Sequence, residues 1–142
     1  MKTFLFAGGG TLGPVTPLLS VAARLRGLQP DGRFVWAGTD NGPERELIEA
    51  AGIHFLTVPV AKLPRYASMQ LFTSPVSFLR ARFVASRIIA QYHPDAVISA
   101  GGFTAVPVVS VAAGHVPCIA HQLDFQTGLS NRLVARKAAI VT

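Results

Sequence analysis

The run Phe6-Ala7-Gly8-Gly9-Gly10-Thr11-Leu12-Gly13-Pro14-Val15-Thr16-Pro17 constrains this chain most, because it joins an apolar strand-like segment to an apolar helix-like one. Glycines at such a junction let backbone N–H groups approach an anion where the helix dipole and unpaired donors converge. A second pair, Gly101-Gly102 in Ser99-Ala100-Gly101-Gly102-Phe103-Thr104, again separates an expected strand from an expected helix. Both turns are therefore expected to flank one cleft at the carboxyl ends of parallel strands, shaped for a phosphate.

The rest of the chain fits that plan. Strands are expected at Thr3–Ala7, Arg33–Ala37, Phe55–Val58, Asp95–Ser99 and Pro117–His121, with a sixth at Ala138–Thr142. Between them, helices are expected at Val15–Arg26, with Pro17 in the first turn, and from Gly42-Pro43-Glu44-Arg45-Glu46 to Gly52. The acidic side chains there suit the positive end of a helix dipole. A third helix runs from Ser74-Pro75 to about Tyr92, a fourth from Thr104 to Ala113, and a short one precedes the last strand. Apolar strands alternating with helices predict an α/β fold: a Rossmann-like parallel sheet with helices on both faces.

At 142 residues, half of them hydrophobic, the chain is expected to form one domain spanning 1–142. Only 14% of residues are charged and the mean hydropathy is +0.42, so some apolar surface is expected to meet something other than water. The net charge of +6 favours an anionic partner. Nucleic acid fits poorly, because no recognised binding motif accompanies the charge. Cys118, the single cysteine, lies in an apolar run and reads as a core residue in a reducing compartment. His54, His93 and His115 sit at element edges without companions at ligand spacing, so neither a metal nor another cofactor is expected. No apolar run approaches a membrane span, and the glycines follow Met1 too soon for a signal peptide, which predicts a cytoplasmic location. The sequence stops at its sixth strand, so a second domain or another chain is expected to complete the molecule.

Gly8, Gly10 and Gly13 also satisfy a bare GxGxxG, and Asp40 stands where a dinucleotide-binding domain holds a ribose. Pro14 and Pro17 crowd the helix start in a way that pattern does not predict. Farther on, His121-Gln122-Leu123-Asp124-Phe125-Gln126-Thr127-Gly128-Leu129-Ser130-Asn131-Arg132 places polar groups just after an expected buried strand, at the rim where open α/β sheets bind substrates.

Gly9-Gly10-Thr11-Leu12-Gly13-Pro14, Gly101-Gly102-Phe103-Thr104, His121-Gln122-Leu123-Asp124 and Gly128-Leu129-Ser130-Asn131-Arg132 resemble, in this order, the N-terminal domain of MurG-type glycosyltransferases of family 28. The resemblance spans essentially the whole chain. It implies the acceptor-side half of a GT-B fold. It also implies transfer of N-acetylglucosamine from UDP-GlcNAc to an undecaprenyl-pyrophosphate-linked muramyl peptide in peptidoglycan synthesis. The lipid-linked pyrophosphate is then the acceptor, and the UDP-sugar is held by a C-terminal domain or a partner chain. Carried over by motif, the substrate-binding residues are Gly9, Gly10, Thr11, Leu12, Gly13, Gly101, Gly102, Phe103, Thr104, Gln122, Asp124 and Asn131.

Two departures bear on catalysis. The family's first loop reads Gly-Gly-Thr-Gly-Gly-His, whereas this chain has Leu12 at the fourth position and Pro14 where the family's proposed base stands. The family's His-Glu-Gln-Asn appears as His121-Gln122-Leu123-Asp124. The candidate bases are therefore His121 and Asp124. The rival reading is a non-catalytic membrane-associated subunit that binds the lipid acceptor and recruits a separate donor-binding catalytic chain.

Between Glu49 and Asp95 no acidic residue occurs, while Lys62, Arg65, Arg80, Arg82 and Arg87 are interleaved with apolar side chains including Phe72, Phe78, Leu79 and Phe83. A basic, apolar surface suits an anionic membrane. Lys62, Arg65, Phe72, Arg80, Arg82 and Arg87 are accordingly expected to face the bilayer, with the protein peripheral on its cytoplasmic side.

Overall fold

The computed structural model describes residues 1–59, 75–123 and 128–142. Its strands β1 (Thr3–Ala7), β2 (Arg33–Gly38), β3 (His54–Thr57), β4 (Ala96–Ser99), β5 (Cys118–Ala120) and β6 (Ile140–Val141) alternate with five helices. These are α1 (Leu12–Leu28), α2 (Glu44–Ala50), α3 (Pro75–Tyr92), α4 (Ala105–Ala112) and α5 (Leu129–Ala135). The strands form one sheet in the order β3-β2-β1-β4-β5-β6, and every pairing is parallel. The order reverses between β1 and β4, so the loops after these two strands diverge to opposite sides and leave a crevice at their carboxyl ends.

The two-residue period of the strands divides the core between the sheet's faces. Leu5, Ala7, Val35, Ala37 and Val97 pack with residues of α3 and α4 on one face. Phe6, Phe34, Trp36 and Ile98 pack with Val15, Leu18 and Ala22 of α1 and Ile48 of α2 on the other. Because both faces are covered, the central strands carry almost no polar side chains, as a parallel sheet requires. Cys118 belongs to the first of these cores, as expected from its apolar neighbours.

Helix α1 starts three residues earlier than expected. Gly13 and Pro14 lie in its first turn, where backbone N–H groups have no intrahelical acceptor and a proline costs little. Pro17 falls farther inside the helix rather than in its first turn. Arg26 closes the neighbouring α2: its guanidinium donates to the carbonyls of Ala51 at 2.8 Å and Gly52 at 3.3 Å and lies over the Phe34 ring. At the end of α3, His93 takes a φ of 44°, the left-handed conformation that commonly stops a helix. Its imidazole therefore stands at a helix end for a backbone reason. His54 meets the Tyr92 hydroxyl at 2.9 Å, and among the described residues no group of His, Cys, Asp and Glu could hold a metal.

Candidate functional site

The first glycine turn is fixed from below by buried side chains. Trp36, wholly buried and stacked on Phe6 at 5.5 Å between centroids, donates its indole N–H to the Gly8 carbonyl at 2.8 Å. Gly8 N donates to the Ala37 carbonyl at 3.3 Å, extending the β1–β2 ladder by one residue. Gly10 then turns with a φ of +90°, and its N–H donates to Glu44 Oε1 at 3.2 Å.

The second turn, at Gly101 (φ +94°) and Gly102 (φ +91°), lies directly against the first. A Cβ on Gly102 would stand 2.7 Å from the Gly9 carbonyl oxygen and 3.0 Å from its nitrogen. A Cβ on Gly10 would stand 2.6 Å from the Phe103 ring. The two turns singled out in the sequence therefore touch, backbone to backbone, and glycine is what allows the approach.

Two helices begin at this junction. Thr11 is the N-cap of α1, with no capping bond from its side chain and no acidic residue in the first turn. Thr11, Leu12 and Gly13 are exposed. Thr104 caps α4, and its hydroxyl is buried with no hydrogen-bonding partner among the described residues. The junction thus presents one exposed and one buried helix start, each without an internal side-chain cap.

Next to Gly101, α5 and the end of β5 supply amides. Asn131 Nδ2 donates to Gln122 Oε1 at 2.6 Å, while Asn131 Oδ1 is buried, without a hydrogen-bonding partner among the described residues, and 2.5 Å from where a Gly101 Cβ would be. His121 N donates to the Ser99 carbonyl, and His121 Nδ1 meets Thr142 Oγ1 at 2.8 Å. Ala120, His121, Gln122, Asn131, Ala135 and Val141 line a cavity of about 140 Å³. Strand β4 lies between β1 and β5, so the strand before His121 stands two places from the strand before the first glycine turn, roughly 10 Å across the sheet. Asp124, the other candidate base, lies outside the described residues, as do Lys62, Arg65 and Phe72.

Arg80, Arg82 and Arg87 are exposed. At 100° per residue, Arg80 and Arg87 share one face of α3 with Val76, Leu79 and Phe83, opposite the buried Ala81, Ala85, Ile88 and Tyr92. Val76, Leu79 and Phe83 are 75%, 63% and 63% exposed, so this face carries large apolar side chains without a partner among the described residues. Arg82 stands to one side, over the Phe78 ring, and Phe78 itself packs against the core. Among the described residues no helix is long and apolar enough to cross a membrane.

Glu44 is the side chain that the sequence concealed. An acidic residue in a helix's first turn reads as a solvent-facing partner of the dipole. Here Glu44 is wholly buried, and its Oε1 accepts from Gly10 N, from Thr39 N at 2.8 Å and from Thr39 Oγ1 at 2.6 Å. The available signal was the density of glycines around Thr39, since Gly38 and Gly42 leave room for the carboxylate.

A parallel α/β sheet with two touching glycine turns at the carboxyl ends of its strands defines a Rossmann-like domain. Residues 4–142 match the model of the glycosyltransferase family 28 N-terminal domain, and the chain belongs to that family. It is 40% identical over 134 residues to the UDP-N-acetylglucosamine–N-acetylmuramyl-(pentapeptide) pyrophosphoryl-undecaprenol N-acetylglucosamine transferase of Clostridium botulinum, covering 94% of this chain and 37% of that one. The enzyme of the same name from Lachnospira eligens is 37% identical over 139 residues. The crystal structure of MurG from Acinetobacter baumannii superposes with a TM-score of 0.84 at 27% identity, covering 99% of this chain and 41% of that one. The chain thus spans about two fifths of the length of these relatives. Family membership displaces the dinucleotide-binding reading of Gly8, Gly10, Gly13 and Asp40.

Proposed function

We propose that this chain is the acceptor-side half of an N-acetylglucosaminyltransferase acting in peptidoglycan synthesis, and that the mouth where its two glycine turns meet receives the pyrophosphate of a lipid-linked acceptor. The contact between the turns is the observation that carries the reading. It brings the starts of α1 and α4 to one mouth, where N–H groups without an intrahelical acceptor and two helix dipoles favour a doubly charged anion. The unpaired Thr104 hydroxyl and the Asn131 amide are further polar groups beside the same mouth.

The donor, UDP-GlcNAc, is held by a domain or chain outside these residues. In the transfer an acceptor hydroxyl attacks the anomeric carbon, the new C–O bond forms as the bond to UDP breaks, and the hydroxyl proton passes to a base. Pro14 accepts no proton, so His121 and Asp124 are the candidates. Thr142 holds the His121 ring by Nδ1, which fixes its orientation. The exposed face of α3 docks on an anionic bilayer, bringing the cleft within reach of an acceptor whose lipid stays in the membrane.

Calorimetric titration tests the reading. The chain is expected to bind undecaprenyl pyrophosphate in detergent more tightly than UDP-GlcNAc. Tight binding of UDP-GlcNAc with no response to the lipid would overturn the assignment of the cleft.

A further inference from the structure

A carboxylate with no exposed surface beside an anion-binding turn needs a reason, because it adds a negative charge where the proposed ligand brings two more. Glu44 stands at the start of α2, after β2, yet its Oε1 gathers donors from two different loops: Gly10 N from the turn after β1, and Thr39 N and Oγ1 from the turn after β2. The space it occupies exists only because side chains are missing around it. A Cβ at Gly9, Gly38 or Gly42 would come within van der Waals contact of the Glu44 carboxylate oxygens, and at Gly9 and Gly42 it would overlap them. Its Oε2 is buried without a hydrogen-bonding partner among the described residues. An unpaired buried carboxylate oxygen is costly, so this arrangement persists against a stability penalty.

We infer that Glu44 is a positioning residue of the acceptor cleft: its carboxylate clamps the β1 turn to the β2 turn, fixing Gly10 so that the start of α1 faces the second glycine turn. This rests on the acceptor-cleft reading above and extends it to a residue that does not touch the ligand. The Gly10 N–H is directed to the carboxylate, so it serves the clamp; the exposed residues Thr11, Leu12 and Gly13 remain for the anion. Charge-assisted bonds from N–H and O–H groups to a carboxylate are about twice as strong as those to a neutral amide oxygen, so a glutamine holds the turn less firmly.

Inorganic pyrophosphate, titrated into the chain and followed at the backbone amides by NMR, tests this. The parent is expected to respond at residues 10–13 and 101–104. Glu44→Gln is expected to unfold cooperatively, to exchange its Gly10 amide proton faster than the parent, and to bind pyrophosphate on the order of tenfold more weakly. Thr39→Val, which removes one donor and leaves the carboxylate, is expected to fall between the two and decides the matter by the same criteria if Glu44→Gln does not fold. A lower unfolding midpoint with unchanged affinity in the folded fraction would mark a merely structural carboxylate and overturn the inference. Tighter binding by Glu44→Gln would show that the charge opposes the anion, and would overturn it too. If the parent itself gives no response at either turn, the acceptor-cleft reading fails. Parent binding with unaltered variants defeats the clamp alone.

Discussion

Gly102 and Gly13 both belong to the proposed cleft, yet a side chain means different things at each. At Gly102 a methyl group meets the Gly9 backbone and forces an L-residue into a φ of +91°. Gly102→Ala is therefore expected to cost at least about 1–2 kcal/mol of stability by chemical denaturation. Weakened ligand binding in that variant would report a damaged turn rather than a filled phosphate site. Gly13 is the cleaner probe, because a Cβ there meets nothing nearer than Thr11 Oγ1 at 3.9 Å. Gly13→Asp is expected to leave the fold intact, since an acidic side chain in the first turn of α1 interacts favourably with the dipole by roughly 0.3–1 kcal/mol. It should nonetheless abolish most pyrophosphate binding by placing a like charge at the mouth, which the same titration reads. Cys118 gives a pH signature of its own. Burial pushes its thiol from 9.0 up to about 11, so the folded chain favours the neutral form. The associated stability is complete below pH 9 and is lost as pH rises through 11, and native Cys118 should resist alkylation at neutral pH until the chain unfolds.

Among the elements, α3 carries the most consequential surface. If its outer face meets a bilayer, binding to vesicles should rise with anionic lipid and fall with salt. Replacing Arg80, Arg82 and Arg87 together by Gln should weaken it without lowering the unfolding midpoint, because all three are exposed. Co-sedimentation with no preference for anionic over neutral vesicles would return this face to the solvent. The same helix ends on a strained residue, and His93→Gly is expected to stabilise the domain by about 0.5–1 kcal/mol in a thermal melt, since glycine takes the left-handed conformation freely. The elements themselves were legible: the strands emerged within a residue or two of their expected bounds because short apolar runs were punctuated by Gly, Pro and Asp. The start of α1 was not, because Gly13 and Pro14 break helices in their interior but are harmless in a first turn, and sequence alone does not say which turn they occupy.

For the whole molecule, the alternation of strands and helices predicted the parallel sheet, and the two glycine turns, expected side by side at the carboxyl ends of the strands, meet there. What escaped was tertiary. The burial of Glu44 depends on glycines from two loops that meet only when β1 and β2 pair, and the Asn131 approach to Gly101 depends on where α5 lies. With UDP-GlcNAc and a lipid acceptor, residues 1–142 alone are expected to show no transfer in a radiolabel assay, because the proposed donor site lies elsewhere. Measurable turnover would overturn that division of labour. The meeting of Gly9 and Gly102 has one more consequence. Side chains usually cushion neighbouring loops, so that each can shift by adjusting rotamers, but here two bare main chains bear on each other. A push on either loop is handed to the other with little slack, and the helices α1 and α4 behind them are pressed together or released together. A ligand bound there, as proposed, would meet one stiff jaw with two edges, and any tightening at one edge would be felt at the other.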